Sequence, residues 1–170
     1  MDRTCTFTGS DPRDCLGQVA ALYDINGDGR DDIIVGAPEA AGSDNKRQGC
    51  GEIHVILGKD SASFPYYATI DQVSDYILEG ANQKGEGYKD YVGDKIGKSF
   101  CLTDIDQDGE SELYIANHMG WGKGTDGRIW RNRGWISAYD IMDLLSGKDK
   151  HIILTHPSDR MTIMAEDEGD

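Results

Sequence analysis

Residues 15–38, CLGQVAALYDINGDGRDDIIVGAP, lie over residues 95–118, KIGKSFCLTDIDQDGESELYIANH, without a gap at an offset of 104 − 24 = 80. Few features constrain a fold more, because a chain that repeats one small unit must stack the copies to bury what each unit alone leaves open. Further on, GEIHVIL from Gly51 matches GWISAYDI from Gly134. The start of DYILEGANQKGEGYKDYVGDKIG is echoed upstream by CTFTGSDPRDCLG and downstream by MTIMAEDEGD. The pattern is two whole units, preceded by the last strand of another and followed by a similar strand.

Within each unit the apolar runs are short, rich in Val, Ile, Leu and Tyr, and bounded by Gly, Asp and Asn, which is strand-and-turn chemistry. It predicts strands near 17–23, 32–37, 52–57 and 75–79, then 97–103, 112–117, 135–141 and 161–165; only SAYDIMDLLSG carries a helix-like patch. Four antiparallel strands, repeated, make an all-β chain of propeller blades. The expected division is residues 1–80 as a first blade with a preceding outer strand, 81–150 as a second blade, and 151–170 as an outer strand that closes the second blade or starts the next contact. Two blades cannot close a ring of four to eight. The chain is therefore expected to be part of an incomplete propeller, completed by further blades of a longer chain or by identical subunits.

Charge is concentrated in the loops. Seventeen Lys and Arg stand against thirty-one Asp and Glu, a net charge of −14, which argues against a nucleic-acid partner and favours cations. The first loop holds Asp24, Asn26, Asp28, Asp31 and Asp32; the second holds Asp104, Asp106, Asp108, Glu110 and Glu112. Such a density of carboxylates repels itself unless a cation neutralises it, and oxygen donors at alternating positions suit a hard ion. The pattern D-x-[ND]-x-D-G-x-x-[DE] offers Asp24, Asn26, Asp28, the Arg30 carbonyl and Asp32, then Asp104, Asp106, Asp108, the Glu110 carbonyl and Glu112, so two calcium ions per chain are expected. An EF-hand is excluded at its twelfth position, which requires Glu and here is Val35 or Ile115, and by the β-rich runs DIIVGAP and ELYIAN where a helix would follow.

These residues resemble a known family. LGQVAALYDINGDGRDDIIVGAP followed by GEIHVILG is similar to the FG-GAP repeat of integrin α-chain β-propellers and of many bacterial surface proteins. The second unit departs from it, with ANH at 116–118 in place of GAP and Glu112 in place of Asp at the ninth position. The resemblance implies that each acidic loop joins the first and second strands of a blade and holds a structural calcium. It also implies a non-enzymatic adhesion or ligand-binding module, at the cell surface or outside the cell, with a protein or carbohydrate ligand.

A second segment favours such a ligand. Residues 117–135 hold all three tryptophans, 121, 130 and 135, and four cations, Lys123, Arg128, Arg131 and Arg133, against one Asp126. Trp and Arg are enriched at binding hot spots, so Trp121, Arg128, Trp130 and Arg131 are the candidate contact residues; the alternative is that Trp130 and Trp135 are core. Two other functions compete: a structural subunit or spacer of a larger surface assembly, and the propeller part of a polysaccharide-active enzyme. No GxSxG, HExxH or CxxC motif supports catalysis in this chain, and His54, in an apolar strand, is expected to be packed. There is no run of about 18 apolar residues to insert in a membrane. Cys5 and Cys15 flank a turn and are either paired or free, Cys50 is unassigned, and Cys101 is expected in the core.

Overall fold

The structure is a computed structural model, and it describes residues 4–81, 93–117, 122–123, 129–130, 134–154 and 162–163. A short strand β1 (Thr6–Thr8) precedes β2 (Ala20–Tyr23), β3 (Asp32–Ala37) and β4 (Glu52–Ile56). Then come β5 (Tyr67–Thr69), helix α1 (Ile70–Val73) and β6 (Tyr76–Gly80). The second unit runs through β7 (Phe100–Thr103), β8 (Glu112–Asn117), a hairpin of β9 (Gly122–Lys123) and β10 (Ile129–Trp130), and β11 (Trp135–Asp140). Helix α2 (Ile141–Leu145), β12 (His151–Leu154) and β13 (Thr162–Ile163) complete it. All eight predicted strands are present, so the fold is predominantly β.

The two units have the same wiring. The first sheet has the order β12-β6-β4-β3-β2 and the second β13-β11-β8-β7. Ala20 faces Val35 and Ile33 faces Ile56 in the first; Phe100 faces Ile115 and Leu113 faces Tyr139 in the second, so the registers coincide. Even the hydrogen bond from Gly36 N to Val19 O, 2.9 Å, recurs as Ala116 N to Ser99 O, 3.1 Å. Residues 151–154 and 162–163 join different sheets: β12 pairs in parallel with β6, whereas β13 pairs antiparallel with β11.

The sequence did not announce β5 or β12. In the structure they are counterparts: β12 lies parallel to β6 with Ile152 opposite Leu78, and β5 lies parallel to β1 with Ala68 opposite Phe7. By this pairing β1 occupies, in front of the first sheet, the position that β6 occupies in front of the second.

Packing follows from that order. Between the sheets lies a core of Ile34, Ile53, Val55 and Leu78 against Leu113, Ile115, Trp135, Tyr139 and Ile141. Burial of each such large side chain contributes about 1.5–3 kcal/mol. The opposite face of the first sheet carries Val35 and Ile56, covered by Ala68, Ile70, Val73 and Phe7. Strand β4 is consequently buried at every position, while β8 and β11 are buried only at alternate residues. Where the sheets meet, backbones touch: a Cβ on Gly36 would lie 2.0 Å from the Gly97 carbonyl oxygen, and Gly97 itself has φ +87°. This is why the first glycine of GAP must be glycine.

Two expectations about thiols are resolved. All four cysteines are free, so Cys5 and Cys15 are not bridged. Cys101 is not core but exposed: on the edge strand β7 its neighbours Phe100 and Leu102 turn to the core, which leaves Cys101 on the uncovered face. Among the described residues no helix is long and apolar enough to cross a membrane.

Candidate metal centres

Each acidic loop joins the first and second strands of its sheet, β2 to β3 and β7 to β8. Glycine provides the turn: Gly29 has φ +83° and Gly109 +95°, a conformation that costs other residues energy. In the first loop Gly27 has φ +70°, and its counterpart Gln107 holds the same left-handed geometry at +62°.

The loops are held open by the carboxylates themselves. Gly29 N donates to Asp24 Oδ2 at 2.8 Å and Gly109 N to Asp104 Oδ2 at 3.0 Å. Asp28 N donates to Asn26 Oδ1 at 2.9 Å, and Asp108 N to Asp106 Oδ1 at 3.3 Å. The amides of Arg30 and Glu110 donate to Asp28 Oδ1 and Asp108 Oδ1, at 2.9 and 2.8 Å. Last, Ile25 N donates to Asp32 Oδ2 and Ile105 N to Glu112 Oε2, both at 2.9 Å. The longer Glu112 thus reaches the same amide that Asp reaches in the first loop.

Electrostatics differ between them. Asp32 is fully buried, and burial pushes its carboxyl above the ordinary range, while the amides of Gly58 and Ile25 pull it back and the charges of Asp28 and Asp24 push it up again. Glu110 is raised chiefly by the charge of Asp140, then by that of Asp108. In the second loop Asp104, Asp106, Asp108 and Glu112 each place an oxygen within 4.8 Å of the others. Asp104 Oδ1 there is buried and finds no hydrogen-bond partner among the described residues. A buried acceptor among gathered carboxylates is the polar arrangement that a hard cation completes, so the donor set fits calcium. Asp24, Asn26, Asp28 and Asp32 with the Arg30 carbonyl would hold one ion, and Asp104, Asp106, Asp108 and Glu112 with the Glu110 carbonyl the other.

Of the candidate ligand-contact residues, Trp121, Arg128 and Arg131 lie outside the described residues. Trp130 falls in β10, whose backbone pairs with β9 through Trp130 opposite Gly122. Trp135 is 7 % exposed and belongs to the core between the sheets. His54, as expected, is packed, at 1 % exposure.

A polar cavity escaped the sequence. It measures about 40 Å³ and is lined by Asp14, Glu52, His54, Asp71 and His151 among others. Burial raises the Asp14 carboxyl, offset in part by the Asp11 amide, and the charge of Glu52 raises it further. These residues are scattered over more than a hundred positions, so no local spacing could have announced them. Beside it, fully buried Glu79 pairs with the Arg47 guanidinium and meets His151 Nδ1 at 2.6 Å.

Known proteins share this pattern. The FG-GAP repeat model matches residues 16–55. Phosphatidylinositol-glycan-specific phospholipase D of Rattus norvegicus is 30 % identical over 113 residues, 66 % of this chain and 12 % of that protein. The mouse (Mus musculus) protein of the same name is 31 % identical over 113 residues, with the same coverage. Integrin alpha-V of Gallus gallus is 29 % identical over 123 residues, 71 % of this chain and 10 % of that protein. The matched stretch therefore spans about a tenth of the length of these relatives. With a β-hairpin, an acidic loop and the GAP triplet inside the matched stretch, residues 16–55 of this chain match the FG-GAP repeat.

Proposed function

We propose that the chain is a calcium-stabilised, integrin-like segment of an extracellular or cell-surface β-propeller that binds a protein or carbohydrate ligand and performs no catalysis of its own. The observation that carries the calcium reading is the second loop, where Asp104, Asp106, Asp108 and Glu112 gather and a buried oxygen of Asp104 finds no hydrogen-bond partner among the described residues. In both loops the ion would neutralise like charges at the hairpin between first and second strands and stabilise the sheet by mass action. Similarity to integrin alpha-V supports the propeller and the adhesion role, and the Trp- and Arg-rich segment 117–135 supplies the candidate ligand surface.

The blade division 1–80, 81–150 and 151–170 belongs to the same proposal. So does the incomplete ring, for which the uneven burial speaks. The central strands β3 and β4 of the first sheet are covered on both faces, whereas the second sheet turns Ile136, 42 % exposed, and the half-buried Tyr114, Ala116 and Ala138 outward. A following blade would cover that face. This exposed sheet also favours the second reading, a structural subunit or spacer. Similarity to a phospholipase D leaves a third, the propeller part of a larger enzyme. Calorimetric titration of the chelated protein with calcium tests the central claim: two sites per chain are expected, and none would overturn it.

A further inference from the structure

We propose that Glu52, His54 and Asp71 form a transition-metal site of the zinc class, separate from both acidic loops. Their ligand atoms lie within 4.8 Å of one another, and Glu52 and His54 are buried on one face of β4. The argument turns on the two nitrogens of His54. Its Nδ1 lies 3.1 Å from Ser74 Oγ. The Ser74 hydroxyl donates its own proton to the Ile70 carbonyl at 2.8 Å, so toward His54 that oxygen accepts and Nδ1 carries the hydrogen. The other nitrogen, Nε2, then presents its lone pair to Glu52 Oε2, 3.0 Å away, in a side chain only 1 % exposed. Two electron-rich atoms facing each other inside a protein require a cation between them.

A divalent metal meets that need better than a proton does, for two reasons. An imidazole whose second N–H is fixed by a hydrogen bond is the ordinary arrangement of a metal-ligating histidine. And a second carboxylate is near: Asp71 Oδ1, on a half-exposed side chain, lies 4.0 Å from His54 Nδ1, and an Asp71 oxygen falls within 4.8 Å of the other two ligand atoms. Two carboxylates cancel the charge of one divalent ion. Metal–ligand bonds of about 2.0–2.1 Å put tetrahedral ligand atoms roughly 3.3 Å apart, close to the spacing that Glu52 and His54 already have. One imidazole with two carboxylates suits zinc or its neighbours rather than calcium, which takes six to eight oxygens. The cavity of about 40 Å³ beside these residues leaves room for a bound water as fourth ligand.

The test is a zinc titration of the full chain held in excess calcium, with the exposed thiols alkylated beforehand so that they do not compete. One zinc per chain is expected. Asp71→Asn, at a half-exposed position, and Ser74→Ala, which frees the tautomer, should each weaken it about ten- to a hundred-fold with calcium stoichiometry unchanged. Asp28→Ala should do the reverse, which keeps failure here distinct from failure of the calcium proposal. Absence of zinc uptake would overturn the site. Uptake that both variants leave unaltered would overturn it equally.

Discussion

Asp28 lies at the centre of the first loop, receiving the amide of Arg30 and sending its own amide to Asp24 Oδ1 and Asn26 Oδ1. Asp28→Ala removes a proposed ion ligand and leaves Asp24 and Asp32 to repel each other. In excess calcium it should lower stability by about 1–3 kcal/mol, whereas Asn26→Ala, which deletes no charge, should cost less than about 1 kcal/mol. An unchanged melting temperature for Asp28→Ala would mean a solvated turn and no ion. Cys50 supplies a test at another residue. It is fully buried, and burial pushes its thiol up to about 12. The sign follows: the unfolded chain ionises near the ordinary value of 9.0 and the folded one does not, so this thiol removes stability as pH rises above about 9. In the native protein near neutral pH, exposed Cys15 and Cys101 should take up iodoacetamide while Cys50 reacts only on unfolding; mass mapping of the alkylated residues decides it.

At the scale of elements, the join between β6 and β12 depends on one buried acid. Glu79 has no exposed side-chain surface; it accepts from Ser43 N at 3.2 Å, pairs with Arg47 and meets His151 at the start of β12. Arg47 Nη1 in turn donates to Gly80 O at 2.6 Å, tying the loop before β4 to the end of β6. Glu79→Ala leaves Arg47 partly buried without its counter-ion and should destabilise by about 3–5 kcal/mol, the usual result of breaking a buried pair. Urea denaturation measures it, and a loss under about 1 kcal/mol would show that the parallel pairing of β12 holds without the acid.

For the whole molecule, the uneven burial of the two sheets sets the expectation in solution. Light scattering with and without chelator should show mass or compactness responding to calcium, because the loops brace the hairpins on which both sheets are built. Changing Trp121 and Arg128 together to Ala should weaken ligand binding without lowering calcium affinity, since neither belongs to an acidic loop. If the segment instead seals a joint between subunits, the same variant should alter the solution mass. A variant matching the wild type in both respects would remove the segment from function.

The sequence by itself determined whatever is local or repeated. Strand positions and the acidic hairpin loops follow from alternation, glycine placement and an 80-residue offset, and the structure reproduces them down to matching hydrogen-bonded pairs such as Ile25–Asp32 and Ile105–Glu112. Burial of His54 was legible too, from the apolar strand around it. Tertiary structure alone decided what depends on partners distant in the chain. The three-residue β5 and the run HIIL are too short to declare themselves, and they become strands because β1 and β6 offer them open edges. Cys101 carries the same apolar signal as its neighbours, but its face of the second sheet is uncovered, so it is exposed. Glu52, His54 and Asp71 meet only because α1 folds back over β4. Spacing along a chain encodes a hairpin and its acidic loop; which face of a sheet is covered, and what converges there, depends on contacts that the linear pattern does not contain.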